Sequence, residues 1–228
     1  MSRAVASLAV LALLGAIFAR VVADHVELEA PRALAAAYLR LSPEALTTPN
    51  VVTGILLAYR GFDTLGEVAV LFMVAASLGP LLKPLDDAHA DRAAPTPPGE
   101  IVETGKRFML PIILLFGGYV ILNGHLSPGG GFQGGAIVAS GVMLLLIANP
   151  RSPLNAGALS AAESAAGVLF VVLGVLGMIY AGGFLDPRFL PAGELGAFVS
   201  GGAIPIVSAL LGVKVAAELC VVLDRFRR

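Results

Sequence analysis

The sequence predicts an all-α, polytopic integral membrane protein with about six transmembrane helices. Three observations predict it. Of 228 residues, 57% are hydrophobic and only 14% are charged, against about 25% charged in an average soluble domain. The mean hydropathy is +0.87. Six apolar runs approach the roughly 20 residues needed to cross a hydrocarbon core about 30 Å thick.

The runs fall at 4–23, 64–82, 108–123, 134–148, 161–182 and 195–223. The first has a rival reading. Arg3, the apolar stretch after it and Val21-Val22-Ala23 resemble a signal peptide with its cleavage site. Arg20 favours a retained helix whose arginine snorkels to the interface. Segment 31–41 places Leu34, Tyr38 and Leu41 on one helical face, with Arg32 and Arg40 off it. That pattern fits a helix lying in the interface or an ordinary loop helix. The run 51–59 is too short to span alone, and one straight helix over 51–82 would be about 48 Å long. A break near Gly61 is expected. Segment 83–105 carries Asp86, Asp87, Asp91, Pro95, Pro97 and Pro98 and reads as a linker between two modules, 1–90 and 91–228. The fourth run is short, which fits either a helix with little tilt or a glycine string before it that sits inside the protein at membrane depth.

Lysine and arginine placement sets the expected orientation. One side holds Arg3, Lys83, Arg92, Lys106, Arg107, Arg151, Arg225, Arg227 and Arg228; the other holds Arg20, Arg32, Arg40, Arg60 and Arg188. The excess puts both termini in the cytoplasm of a plasma (inner) membrane. Lys106 and Arg107, immediately before the third run, are the sharpest local signal.

Composition also excludes functions. A net charge of −1 without a basic patch argues against nucleic acid as a partner. The single Cys220 cannot make an intrachain disulfide, and no Cys/His cluster has metal-ligand spacing, so neither a metal nor a cofactor is expected. SPGGGFQGG, 127–135, looks like a phosphate loop but lacks the Gly-Lys-Ser/Thr ending that such a loop needs.

Ionisable residues within apolar runs are costly and therefore candidate functional groups. Glu67 follows Thr64 by three residues, so it reads either as half of a capping box or as an ion relay beside a broken helix. Ser160 and Glu163 have the same spacing and favour a capping box opening the fifth helix. Lys214 lies deepest, and it reads as a structural ion pair with Glu218 one turn on, as a lysine whose stem snorkels, or as a charge that tunes a neighbouring carboxylate. His125, before the glycine string, reads more readily as a cap or surface group than as a transport residue.

Two strings resemble known families. YRGFDTLGE (59–67), overlapping NVVTGILLAYR (50–60), resembles the C-terminal extension of the MrpA subunit of Mrp-type Na+/H+ antiporters and the MbhE subunit of membrane-bound hydrogenases. LNGHLSPGGGFQGGAIVASG (122–141) resembles the MrpB (MnhB) protein of those antiporters and its hydrogenase counterpart MbhF, as does LGVKVAAEL (211–219). The resemblance implies a subunit of a complex moving Na+ and/or H+ across a lipid bilayer. Its partners would be other membrane subunits, among them a large antiporter-like one. It places Asp63 and Glu67 in the acidic motif of one module, and Gly129, Gly130, Gly131, Gln133, Gly134 and Gly135 in the signature of the other. It raises Glu67 as an ion-path residue, whereas Glu218 is less typical of the family. The combination implies three alternatives: part of an antiporter, an ion-translocating arm of a redox complex, or a silent scaffold. In none of them does this chain hold a catalytic site of its own.

Overall fold

The protein is described by a computed structural model covering residues 3–26, 30–81, 99–149, 152 and 154–227. Among the described residues, six helices have the length and composition to cross a membrane. The described chain contains no strand beyond one isolated bridge, Gly193 to Ser200, so it is an all-α polytopic membrane protein. Most of the 83–105 linker lies outside the described residues, including Asp86, Asp87, Asp91, Pro95, Pro97 and Pro98, as do the orientation signals Lys83, Arg92, Arg151 and Arg228.

Two compact units divide the chain, Met1–Ala37 and Tyr38–Arg228. The first contains α1 (Arg3–Ala23) and the start of α2 (Ala33–Leu46). None of α1's apolar window is buried within the chain. A helix apolar on every side needs apolar surroundings, which a bilayer or other subunits supply.

In the second unit the rest of α2 leads to α3 (Val51–Gly54), a π-helical turn (Ile55–Tyr59), and α4 (Gly61–Leu81). Ser42 and Leu46 are buried, while Leu34 is exposed. The expected break occurs at Arg60. Eight residues along a straight helix span about 12 Å, yet Thr64 Oγ1 donates a 2.7 Å hydrogen bond to the Leu56 carbonyl. The chain therefore bends sharply, and Thr64, buried inside α4, satisfies a carbonyl of the irregular turn. This rules out the capping-box role for Thr64 and Glu67.

The remaining spans are α5 (Glu100–Leu122), α6 (Gly131–Ala148), α7 (Ala156–Tyr180) and α8 (Ile204–Arg227). Several boundaries differ from expectation for local reasons. Helix α5 begins before Lys106 and Arg107, and Lys106 pairs with Glu103 one turn back, 2.7 Å away. Helix α7 begins more than a turn before Ala161, capped by Asn155, whose side chain accepts from the Ala158 N–H. Ser160 is thus interior, and Glu163 is not a capping residue. Helix α8 starts at Ile204 rather than 195, because Gly201 and Gly202 have positive φ (78° and 59°). Pro205 then sits in its first turn, where a missing N–H leaves no hydrogen bond unmade.

The glycine string explains how α5, α6 and α8 meet. Gly129 and Gly130 turn the chain with φ of 136° and 147°, values that side chains rarely adopt. Gly131 and Gly135, one turn apart on α6, face α8. A Cβ on Gly131 would lie 2.6 Å from Leu211 Cβ, and one on Gly135 would lie 2.8 Å from Val215 Cβ. Gly134 faces α5, where a Cβ would meet the Gly117 carbonyl at 2.8 Å. Small residues allow such backbone approach between membrane helices. Ser208 adds a 3.1 Å hydrogen bond from α8 to the Ile121 carbonyl of α5.

The turn between α5 and α6 is pinned to α3. Asn50 caps α3 through Thr53 N–H, and its Nδ2 donates to the Gly124 and Ser127 carbonyls, each at 2.8 Å. Thr53 Oγ1 donates to Gly124 O at 2.7 Å. His125 is fully buried, neither cap nor surface group. Its Nε2 donates to the Phe198 carbonyl at 3.0 Å, tying the turn to the 181–203 loop. Its Nδ1 has no hydrogen-bond partner. In that loop Asp186 accepts from Arg188 N–H and Nε. Burial pushes the Asp186 carboxyl up, but the hydrogen bonds and charge of Arg188 outweigh it and hold the group below its ordinary range.

Two outcomes follow for the purified chain. Gly131→Ala overpacks the α6–α8 contact and lowers stability by about 1–3 kcal/mol, read as a lower thermal midpoint; Gly118→Ala, with no atom within 4 Å of the new Cβ, leaves the midpoint unchanged. Burial lowers the pKa of His125 below its usual 6.5, so the unfolded chain binds a proton that the folded chain resists. Stability is then full above pH about 6.5 and falls as pH drops below it. His125→Gln removes that decline from the unfolding midpoint measured against pH.

Candidate functional site

Three charged side chains meet where α7 and α8 pack. Lys214 stands near the middle of α8, several turns from either end of Ile204–Arg227. Its Nζ lies 3.0 Å from Glu218 Oε2 and 3.5 Å from Glu163 Oε1. Relative exposures are 4% for Lys214, 6% for Glu163 and 0% for Glu218. Helical spacing places Lys214 and Glu218 on one face of α8, while Glu163 comes from α7, two turns after its start. A Cβ on Gly167, one turn further, would lie 3.8 Å from the lysine stem. Phe72 of α4 closes another side, its ring centroid 5.6 Å from Nζ, within cation–π range.

Fully ionised, this cluster carries one positive and two negative charges. In a low-dielectric interior such an imbalance is expensive, and one further positive charge would balance it. Glu218 Oε1 is buried and has no hydrogen-bond partner. The arrangement therefore has a free acceptor beside its lysine. A cleft of about 540 Å³ reaches Glu163 and Lys214, with otherwise mostly apolar walls including Leu65, Val68, Phe72 and Val171.

Glu67 belongs to a second, smaller cavity on another side of α4. About 40 Å³ is lined by the exposed side chains of Glu67 and Gln133 and by Thr64, Thr53, the backbone of Gly129–Gly131 and Leu211, among others. That is room for about three waters by the usual allowance per molecule. The carboxylate, the Gln133 amide, the Thr53 hydroxyl and the turn backbone are the polar partners such waters need. The glycine string and Glu67, far apart in sequence, thus share one cavity. Asp63 lines neither cavity; it is exposed and pairs with Arg60. His125 is held in the turn by Phe198 and also lines neither.

Residues outside the sequence-level candidates also build the site. Asn50 and Thr53 clamp the glycine turn, and Asn-x-x-Thr at a helix start is a readable cap signal. Phe72 and Leu211 carry no local signal, because each is one apolar residue in an apolar run. Among the described residues, no group of three or more His, Cys, Asp or Glu is placed to hold a metal ion.

Comparisons with known proteins give these observations a family. Residues 101–221, more than half of the chain, match the family described as "Domain related to MnhB subunit of Na+/H+ antiporter". Residues 2–96 match MbhE, the E subunit of MBH. A probable K(+)/H(+) antiporter A/B subunit of Rhizobium meliloti is 34% identical over 136 residues, 50% of this chain and 14% of that protein. This chain therefore spans only a small part of that relative. Among solved structures, a chain of the membrane-bound sulfane sulfur reductase, an archaeal respiratory membrane complex, superposes with a TM-score of 0.81. It is 32% identical, and the match covers 99% of this chain and 98% of that one. A chain of the Mrp complex from Dietzia sp. DQ12-45-1b shares the fold, with a TM-score of 0.74 at 24% identity over 99% of this chain and 26% of that one. The chain belongs to the family of domains related to the MnhB subunit of Na+/H+ antiporters.

Proposed function

We propose that this protein is a membrane subunit of a multisubunit Mrp-type Na+(cation)/H+ antiporter complex, contributing both to an ion path and to assembly. The observation that carries the reading is the buried Glu163–Lys214–Glu218 cluster. A structural ion pair needs one carboxylate for its lysine, whereas this cluster has two, one of them with an unpartnered oxygen. Glu67, in a cavity sized for water beside a broken helix, supplies a second ionisable station; the glycine motif, with Gln133, forms the opposite wall.

In this reading the chain holds no catalytic centre. Its 1–90 and 91–228 modules join one another and neighbouring subunits, including a large antiporter-like one, in the lipid bilayer of the cell membrane with both termini cytoplasmic. Protons and Na+ or a similar cation are what it handles. A second reading is supported by the likeness to the sulfane sulfur reductase chain over nearly its full length. There the same stations would lie in the ion-translocating arm of a redox complex, and the downhill reaction would be electron transfer on other subunits.

Purification of the native complex separates the two. The antiporter reading predicts Na+-dependent proton movement in vesicles without co-purifying iron–sulfur absorption or nickel; redox metal in the preparation supports the second. For either reading, Glu67→Gln abolishes or strongly reduces transport while the complex still assembles. Lys214→Ala abolishes transport and, by leaving two buried carboxylates without their cation, lowers stability by about 3–5 kcal/mol. Wild-type transport with normal assembly in both variants would contradict an ion-path role.

A further inference from the structure

The two ionisable stations face different cavities, and the residues between them are apolar. On α8, Val207, Leu211, Lys214 and Glu218 follow one another at spacings of four, three and four, and so form a single stripe. Leu211 lines the small cavity that holds Glu67. Lys214, about 4.5 Å further along the axis, lines the cleft that holds Glu163. On α4 the order repeats. Thr64 and Glu67 line the first cavity, Val68 is buried and borders the second, and Phe72 covers Lys214. Leu211 and Val68 are 2% and 7% exposed and belong, with Leu57 and Phe170, to one hydrophobic cluster. Apolar side chains from α4, α8 and the π-helical turn thus lie between the small cavity and the charged cluster, Leu211 bordering the first and Val68 the cleft beside the second.

We propose that Leu211, backed by Val68 and Leu57, is the hydrophobic barrier between the Glu67 cavity and the Glu163–Lys214–Glu218 cluster, and that its bulk keeps the path closed to water. This rests on the ion-path reading above. Hydrophobic constrictions gate by excluding water, and a proton passes only where water or titratable groups bridge the gap. Leu211 also meets the glycine wall, since it lies against Gly131. A small displacement of α6 on α8 therefore changes the space at the barrier. Leu211 borders one compartment and Val68 the other, so shortening either thins the barrier between them.

The test uses the complete complex containing this chain, reconstituted in proteoliposomes with an imposed pH gradient and no coupling cation. Proton leak is followed with an entrapped pH dye. Leu211→Ala and Leu211→Asn are expected to raise the leak about tenfold, equivalent to about 1.4 kcal/mol off the barrier. Leu211→Met, which preserves volume and apolarity, stays as tight as wild type. Val68→Ala, at the facing wall, leaks as Leu211→Ala does and carries the test if a Leu211 variant fails to assemble. Tight Leu211→Asn and Val68→Ala complexes, with Glu67→Gln still defective in transport, overturn the barrier alone. Full transport in both Glu67→Gln and Lys214→Ala overturns the ion-path reading and the barrier with it.

Discussion

A lysine ammonium held away from water in the middle of a membrane helix constrains the rest of this structure. Lys214 has no route to either end of α8 that its stem can reach, so its charge must be met where it stands. Glu218 meets it from the same helix and Glu163 from α7, which binds those two helices face to face. Phe72 brings α4 onto the same group. The opposite demand acts on α6. Gly131 and Gly135 lie against α8 so closely that a side chain has no room. Charge on one face of α8 and the lack of side chains against the adjoining face place its neighbouring helices around it.

The broken helix before α4 is the second organising element. Its irregular turn frees a carbonyl that Thr64 satisfies, and its first residues hold the glycine turn through Asn50 and Thr53. The N-terminal and C-terminal sequence motifs are thereby joined in one cavity. Glu67 stands at that cavity because the chain bends at Arg60. On a straight helix it would lie several turns away from Thr53, with no glycine turn beside it.

Much of this was legible in the residues. Helix number and order follow from hydropathy, the break from an apolar stretch too long for one bilayer, and the Lys214–Glu218 pair from helical spacing. The two capping-box departures share one cause. Ser/Thr-x-x-Glu marks a helix start only if a helix starts there, and the same spacing arises inside a helix whenever a polar pair sits one turn apart. Thr64 turns its hydroxyl to a carbonyl eight residues back, and Asn155 caps α7 before Ser160 is reached. The burial of His125 escapes the sequence because a histidine at a turn is ordinarily exposed; the carbonyl it reaches, that of Phe198, is 73 residues away. Phe72 and Leu211 are invisible for a simpler reason: hydropathy does not say which side of an apolar helix meets a charge.

Everything proposed for the ion path turns on whether Glu163, Lys214 and Glu218 hold an exchangeable cation or a fixed ion pair. Infrared difference spectroscopy of the assembled complex, recorded as the pH is cycled, distinguishes the two. An exchangeable proton gives a protonated-carboxyl band that appears and disappears with pH in wild type and is lost in Glu163→Gln or Glu218→Gln. If neither substitution removes any pH-dependent carboxyl band from the wild-type spectrum, an exchangeable proton at the cluster is contradicted.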